Sequence, residues 1–225
     1  MTAVLLKQRG DQISHYRLQR LLGAGCEGDV YLAVDMRSAA LRTVKVLRGR
    51  NMMADAQHTA AHYRRLASIP TVKRFREWGV LTGQLGVGVR PWLAFDYIRG
   101  ETLAKRIEER RIRNLLGILI AVCDALRPVH QRGYAIGDFD LDRNLLVERG
   151  TGLIRFCDLD AGGPREPLPT VAADGDELEG LARRLWRARG QKPDRAVLAV
   201  INDSRDAIEA GRRLRRLRPP TERPP

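Results

Sequence analysis

Alternation of apolar and polar residues is the clearest pattern in the first fifty positions of the chain. From Ile13 the segment ISHYRLQRLLGAGCEGDVYLAVD has strand-like patterning that is interrupted at Gly23, Gly25 and Gly28 and resumes at Val30. A helix would follow the glycines in a dinucleotide-binding fold, but VYLAV is rich in strand formers. The pattern therefore predicts a strand-turn-strand flap whose backbone N–H groups can approach phosphate oxygens. A plain glycine-rich hairpin is the alternative.

A lysine stands inside the next apolar strand. Residues 41–47, LRTVKVL, alternate as a half-buried strand does, with Lys45 between two valines. A lysine in such a place needs an anionic partner, and a nucleotide phosphate would serve. An edge-strand lysine that points to solvent is the alternative.

A second pattern, at residues 137–160, predicts a β-hairpin with oxygen ligands at its open end. Apolar runs at 145–147 and 153–157 flank the turn-forming segment ERGTG. A turn centred near Thr151 sets Asn144 across from Asp158, which gives one amide and one carboxylate for a cation such as Mg²⁺. Asp138 lies just upstream, where it could receive a proton from an attacking hydroxyl.

The remaining periodic segments predict helices. Residues 115–123 form the longest apolar run, which is too short to cross a bilayer and fits a buried helix. A helix with acidic residues in its first turn is expected from Asp174 onward. One or two amphipathic helices are expected between Asp194 and Leu217.

Composition adds a strong positive charge. Forty Lys and Arg against 27 Asp and Glu leave a net charge of +13 in 225 residues, which favours anionic partners or a basic, solubilising surface. Cys26, Cys123 and Cys157 form no CxxC pair, so neither a disulfide framework nor a zinc site is expected, and a reducing cytoplasm fits. The N-terminus lacks the pattern of a signal peptide, and no transmembrane segment is expected.

The chain ends in a segment rich in arginine and proline, RRLRRLRPPTERPP, from Arg212. We expect helix to stop near Arg218, because two prolines follow. The arginines could neutralise an anionic partner such as RNA or a membrane surface, whereas a solvated, disordered end is the alternative. No aromatic residues are interleaved, so base stacking is not indicated.

Taken in order, the GAGCEGDV flap, the VKV lysine and the Asp138, Asn144 and Asp158 group resemble protein kinases. The segment LAFDYIRGETL is similar to the kinase hinge, with Phe95 as gatekeeper and the backbone of Asp96 to Ile98 facing adenine. The segment VHQRGYAIGD is similar to the approach to the catalytic loop, where a histidine and a glycine recur.

The resemblance implies an α+β, two-lobed protein-kinase-like fold, with an antiparallel sheet and one helix in the N-lobe and a trimmed, mainly helical C-lobe. The bounds it implies are an N-terminal extension at 1–12, an N-lobe at 13–95, a C-lobe at 96–217 and a tail at 218–225.

The resemblance also implies ATP and Mg²⁺ as cofactors and assigns the site residues. Asp138 and Lys45 are catalytic, Asn144 and Asp158 bind the metal, and the residues expected to bind ATP are Gly23, Gly25, Gly28, Val30, Lys45, Asp96 and Ile98. His130 is expected to brace the catalytic loop, and Asp174 resembles the aspartate that steadies it.

Several positions depart from the kinase pattern. The helix after Lys45 should carry a glutamate for that lysine, but the matching position is His62, with Asp55 on about the same face two turns earlier. The catalytic loop holds one extra residue, which leaves Asp140 as the reserve for Asp138. Asp140 also stands where kinases have a lysine, and Arg143 is its expected replacement.

The segment after Asp158 departs as well. DLD replaces the DFG triplet, and only a short stretch, without an APE motif, separates Asp158 from Asp174. Four hypotheses follow: a serine/threonine protein kinase, a small-molecule or sugar kinase, a nucleotide-binding pseudokinase that serves as scaffold or regulator, and an RNA-associated adaptor.

Overall fold

The computed structural model describes residues 9–48, 52–82, 89–109, 114–137, 144–157 and 170–217. The chain divides into two compact units. The first holds the described residues up to Ser68 together with Lys73–Tyr97, and the second holds Ile69–Val72 and the described residues from Ile98 onward. Within these described ranges, no helix combines the length and the apolar character that a membrane span requires.

In its described residues, the first unit is one antiparallel sheet of six strands, in the order β1-β2-β3-β4-β6-β5, with a single helix. Its strands are β1 Gln12–Ile13, β2 Tyr16–Ala24, β3 Gly28–Asp35, β4 Leu41–Leu47, β5 Phe75–Leu81 and β6 Arg90–Asp96, and its helix is α1 Met52–Arg65. The strand-turn-strand flap and the strand of residues 41–47 are therefore confirmed as β2, β3 and β4.

The alternation of β3 and β4 separates two faces of this sheet. One face is a closed apolar core, whose buried members are Ile13, Tyr16, Leu18, Tyr31, Ala33, Val44, Val46, Trp92 and Ala94. On the other face, α1 packs against β5 and β6. There Tyr63 meets Phe95 edge-on, with ring centroids 4.8 Å apart, so aromatic packing fixes the helix on the sheet.

The described part of the second unit combines five helices with a small antiparallel sheet, in the order β7-β8-β9. Its elements are β7 Gly100–Thr102, α2 Leu103–Glu108, α3 Leu115–His130, β8 Leu145–Glu148, β9 Ile154–Phe156, α4 Val171–Arg187, α5 Arg195–Asn202 and α6 Ala207–Arg216. Side-chain caps begin several of these helices: Thr102, Asn114, Thr170, Asp194 and Asp206 each accept a backbone N–H of the first turn.

The predicted hairpin is present as β8 and β9, but its register differs from the prediction by one residue. Leu145 pairs with Phe156, and the carbonyl of Asn144 accepts the N–H of Cys157 at 2.9 Å. Asn144 is therefore opposite Cys157 and not opposite Asp158. The turn uses left-handed backbone at Gly150 and Gly152, and the N–H of Glu148 donates to the carbonyl of Leu153, so the turn is centred between Gly150 and Thr151 and not on Thr151.

Small residues let α6 pack closely on α3. Ala207, Ala210 and Gly211 are buried on α6, and a Cβ at Gly211 would lie 3.0 Å from the Cβ of Cys123 on α3. Burial raises the pKa of the Cys123 thiol to about 12, so this cysteine stays protonated and serves as packing.

The arginine-rich end begins inside this packed helix. Arg212 to Arg216 belong to α6, Leu214 is fully buried, and Arg215 forms an ion pair with Asp124 of α3. The alternative of a disordered end is therefore wrong for residues 212–217. The helix ends at Arg216, close to the expected stop, and residues 218–225 lie outside the described part of the chain.

Candidate functional site

The glycine flap joins β2 to β3 through a short, internally bonded turn. Gly23 pairs with Val30 across the two strands, and the N–H of Gly25 donates to the carbonyl of Gly28 at 2.9 Å. The three glycines named from the sequence are thus the end of β2, the turn, and the first residue of β3. Gly23 has open space around the position of a Cβ.

Lys45 lies on β4 directly opposite Val30 of β3 and Leu93 of β6. Residues directly opposite in antiparallel strands share a face, so these three side chains are neighbours on the face away from the closed core. The Lys45 side chain is 13% exposed, so its ammonium is largely withdrawn from water. A cation in such surroundings requires an anion close by.

Gly28 is required by the neighbouring strand. A Cβ at this position would lie 3.0 Å from the carbonyl carbon of Val46 and closer still to the Val46 oxygen. The clash is with backbone, which cannot rotate away as a side chain could. The base of the flap therefore lies directly against β4.

We expect Gly28→Ala to destabilise the protein by about 1–3 kcal/mol, because β3 and β4 must separate to accept the methyl group. Gly23→Ala is the matched control, since a Cβ there meets nothing within 4 Å. Urea unfolding of both variants measures the difference. Equal midpoints for the two variants would show that the close approach at Gly28 is not a constraint on folding.

A buried aspartate that the sequence analysis did not single out lies next to the flap. Asp29 is completely buried, and the Arg48 guanidinium contacts its two oxygens at 2.7 and 2.8 Å. The Tyr31 hydroxyl donates to the same carboxylate at 3.2 Å. The alternation of residues in β3 could have indicated that Asp29 is buried, because Asp29, Tyr31 and Ala33 share one face of the strand. An acid at a core position requires a cation.

Lys45 pairs with an acid of the flap itself. Its Nζ lies 2.9 Å from Oε2 of Glu27, whose side chain is 74% exposed. The hypothesis that Asp55 of α1 replaces the glutamate expected on that helix is wrong, because Asp55 forms no ion pair in the described ranges. His62, at the matching position of α1, is buried. No pattern in the sequence pointed to Glu27, because a loop residue has no periodicity.

The hinge segment begins at the end of β6. Phe95 is buried, and the Asp96 N–H donates to the carbonyl of Arg74 at 2.9 Å. This N–H is therefore already used within the first unit. The chain passes to the second unit between Tyr97 and Ile98.

The Asp96 carboxylate belongs to an ion-pair network at one end of the sheet. Arg76 holds it with two contacts of 2.7 Å, and Arg42 approaches at 3.2 Å. Arg42 also lies 3.9 Å from Asp35, whose pKa is lowered chiefly by the hydrogen bond from the Ser38 hydroxyl. The network ties the end of β6 to β4 and β5.

In the second unit, the described part of the expected metal site is Asn144. Its side chain is buried at the entry to β8, and its carbonyl is bonded to Cys157. Asp138, Asp140, Arg143 and Asp158 lie outside the described residues, so their assignments stay predictions. Among the residues that are described, no cluster of three His, Cys, Asp or Glu side chains could hold a metal ion.

The backbone that leads to Asp138 is held by Asp174. The Asp174 carboxylate accepts the N–H of Ile136 at 3.0 and 3.1 Å and the N–H of Gly137 at 2.8 Å. It also lies 2.7 Å from Nε2 of His130. This aspartate is in the first turn of α4, as expected, and it steadies residues 136 and 137 through direct hydrogen bonds.

His130 connects three helices through its two ring nitrogens. The Ala207 N–H, at the start of α6, donates to Nδ1 at 3.2 Å, so Nδ1 is an acceptor and Nε2 carries the proton that faces Asp174. His130 therefore joins Asp174 of α4 to the start of α6.

Comparison with known proteins finds no matching family model and no matching curated protein. Solved structures do match. The kinase domain of PknI from Mycobacterium tuberculosis superposes with a TM-score of 0.68 at 19% identity, over 93% of this chain and 99% of that one. PpkA-294 in its apo form superposes with a TM-score of 0.70 at 15% identity, over 92% of this chain and 99% of that one. The chain therefore has a two-lobed, protein-kinase-like α+β fold.

Proposed function

We propose that this chain is an ATP- and Mg²⁺-dependent phosphotransferase that transfers the γ-phosphoryl group to a hydroxyl, with serine or threonine of a protein as the acceptor. The observation that carries the proposal is Lys45, a largely buried lysine on β4 opposite the flap strand, in a kinase-like fold that spans most of the chain. Serine/threonine specificity follows from the resemblance alone.

The flap and Lys45 would bind the nucleotide. The backbone of Gly23, Gly25 and Gly28 would cover the phosphates, and Lys45 would hold the α and β groups. Val30, on the same face as Lys45, fits an apolar contact with the base. The carbonyl of Asp96 and the backbone of Ile98 would bind the adenine edge.

The donor set of the second unit fits Mg²⁺. An Asn amide oxygen and an Asp carboxylate are the hard ligands that this ion takes, and Asn144 with Asp158 would supply them. The metal, when bound, neutralises charge on the phosphate oxygens. Asp138 would orient the acceptor hydroxyl and receive its proton, and Asp174 and His130 would keep the Asp138 backbone in place.

The test is transfer of labelled phosphate. The purified protein is incubated with γ-labelled ATP and Mg²⁺, alone and with cell lysate, beside the variant Asp158→Ala. We expect label on protein that disappears in the variant, because the carboxylate that holds the metal is lost. Acid-stable label on serine or threonine identifies the acceptor class.

Two other outcomes correspond to the other hypotheses. Thermal stabilisation by MgATP without any transfer would support a nucleotide-binding pseudokinase. Label that appears only on a small molecule of the lysate would support a small-molecule or sugar kinase. A protein that shows neither thermal stabilisation by MgATP nor any labelled product would overturn the proposal.

A further inference from the structure

One partner of Lys45 lies in an unexpected part of the fold. A carboxylate beside its ammonium is that of Glu27 in the flap, at 2.9 Å. Helix α1 carries one acid, Asp55 in its first turn, and a buried histidine, His62, where the glutamate was expected. The flap therefore supplies a carboxylate to the lysine where an acid of the helix was expected.

The flap holds Glu27 in this place through its backbone. The carbonyl of Glu27 accepts the N–H of Arg48 at 2.7 Å, just beyond the end of the strand that carries Lys45. Arg48 is itself fixed, because its guanidinium contacts both oxygens of the buried Asp29. On the other side of Glu27, Gly28 lies tightly against β4. Glu27 is thus anchored on both sides to the β4 strand.

We propose that Glu27 is a positioning residue that orients the Lys45 ammonium toward the nucleotide, in the role that a helix glutamate has in the kinases this chain resembles. This inference rests on the proposed function. An ammonium has three N–H donors, so it can bind Glu27 and phosphate oxygens at the same time. Because the acid lies in the turn between two strands of the sheet that carries the lysine, this placement of Lys45 does not depend on α1.

The pair contributes orientation more than stability. Glu27 is 74% exposed, and ion pairs with so exposed a partner contribute little to folding. Orientation matters more, since small misplacements of a group that binds the transferring phosphate lower the rate. Removing the charge of Glu27 should therefore affect transfer and leave the unfolding temperature unchanged.

The test uses Glu27→Gln, which keeps size and removes charge, with Glu27→Asp as the conservative variant and Cys26→Ser as the control in the same turn. We expect kcat at saturating MgATP to fall about tenfold in Glu27→Gln with little change in KM, and to recover in part in Glu27→Asp. Cys26→Ser should match the wild type. An unchanged kcat in Glu27→Gln would overturn the positioning role.

Tighter MgATP binding with faster transfer in Glu27→Gln would also overturn it, because the carboxylate would then be a competitor of the phosphates. A second measurement needs no nucleotide: acetylation of Lys45 by acetic anhydride, followed by mass spectrometry. Losing the neighbouring carboxylate favours the reactive, uncharged amine, so we expect Lys45 to react roughly threefold faster in Glu27→Gln and not in Cys26→Ser.

The two measurements separate the two proposals. Equal acetylation of Lys45 in Glu27→Gln and the wild type would overturn the ion pair itself. Faster acetylation in a protein whose wild type neither binds MgATP nor transfers phosphate would leave the ion pair intact and overturn the proposed function, and the positioning role with it.

Discussion

Asp174→Ala is expected to lower the free energy of unfolding by about 3–5 kcal/mol, because it removes the acceptor of several buried hydrogen bonds at once. The N–H groups of Ile136 and Gly137 and the imidazole of His130 all bind this carboxylate. The Ile136 N–H and the His130 imidazole cannot reach water without moving the backbone, since Ile136, His130 and Asp174 are buried. Urea unfolding measures the loss.

Asp176→Ala is the matched control, because Asp176 lies two residues along the same helix and is exposed. We expect a change within about 0.5 kcal/mol for this control. Asp174→Asn should be intermediate, since an amide oxygen can accept from the backbone but carries no charge. If Asp174→Ala unfolded at the same urea concentration as Asp176→Ala, the hydrogen bonds of the Asp174 carboxylate would not contribute to the stability of the fold.

The local pattern of apolar and polar residues was sufficient to predict most of the strands and helices. Strand β4 coincides with the predicted 41–47, because the alternation of LRTVKVL matches a strand with one closed face. The apolar run at 115–123 lies within the longer α3, whose end the sequence did not mark. The cap at Asp194 and the prolines after Arg218 set the limits of the last two helices well.

Contacts between residues far apart in the sequence could not be predicted from local patterns. The observed register of the β8–β9 hairpin differs from the predicted one by one residue. The turn holds two glycines with left-handed backbone, and the register of a hairpin depends on the conformation of its turn. The pairing of Lys45 with Glu27 depends on how the flap folds back on β4, which no spacing encodes. The buried Asp29 had a signal in the alternation, but its partner Arg48 is fixed only by the pairing of β3 with β4.

The resemblance to kinases implied the correct fold class, because its motifs recur along the chain in the order that kinases have them. The site assignments themselves stay predictions. The structure adds a physical role for two residues near these motifs, His130 and Asp174, whose hydrogen bonds join residues 136 and 137 to α4 and α6.

Lys45→Met is expected to reduce phosphate transfer by on the order of 10³-fold while leaving the protein folded. The methionine keeps the length of the stem that packs beside Val30 and Leu93, and it removes the charge that would hold the phosphates. The free energy of unfolding should stay within about 1 kcal/mol of the wild-type value, because the substitution removes the largely buried Lys45 charge together with the cost of desolvating it. Labelled transfer and thermal unfolding are measured on the same preparation.

Lys105→Met is the control for loss of a surface lysine, since the Lys105 side chain is more than half exposed and its ammonium lies 3.9 Å from the carboxylate of Glu109. It should transfer at the wild-type rate. A Lys45→Met protein that folds and keeps more than a tenth of the activity would show that another cation binds the phosphates. A variant that loses both fold and activity would instead assign Lys45 a structural role.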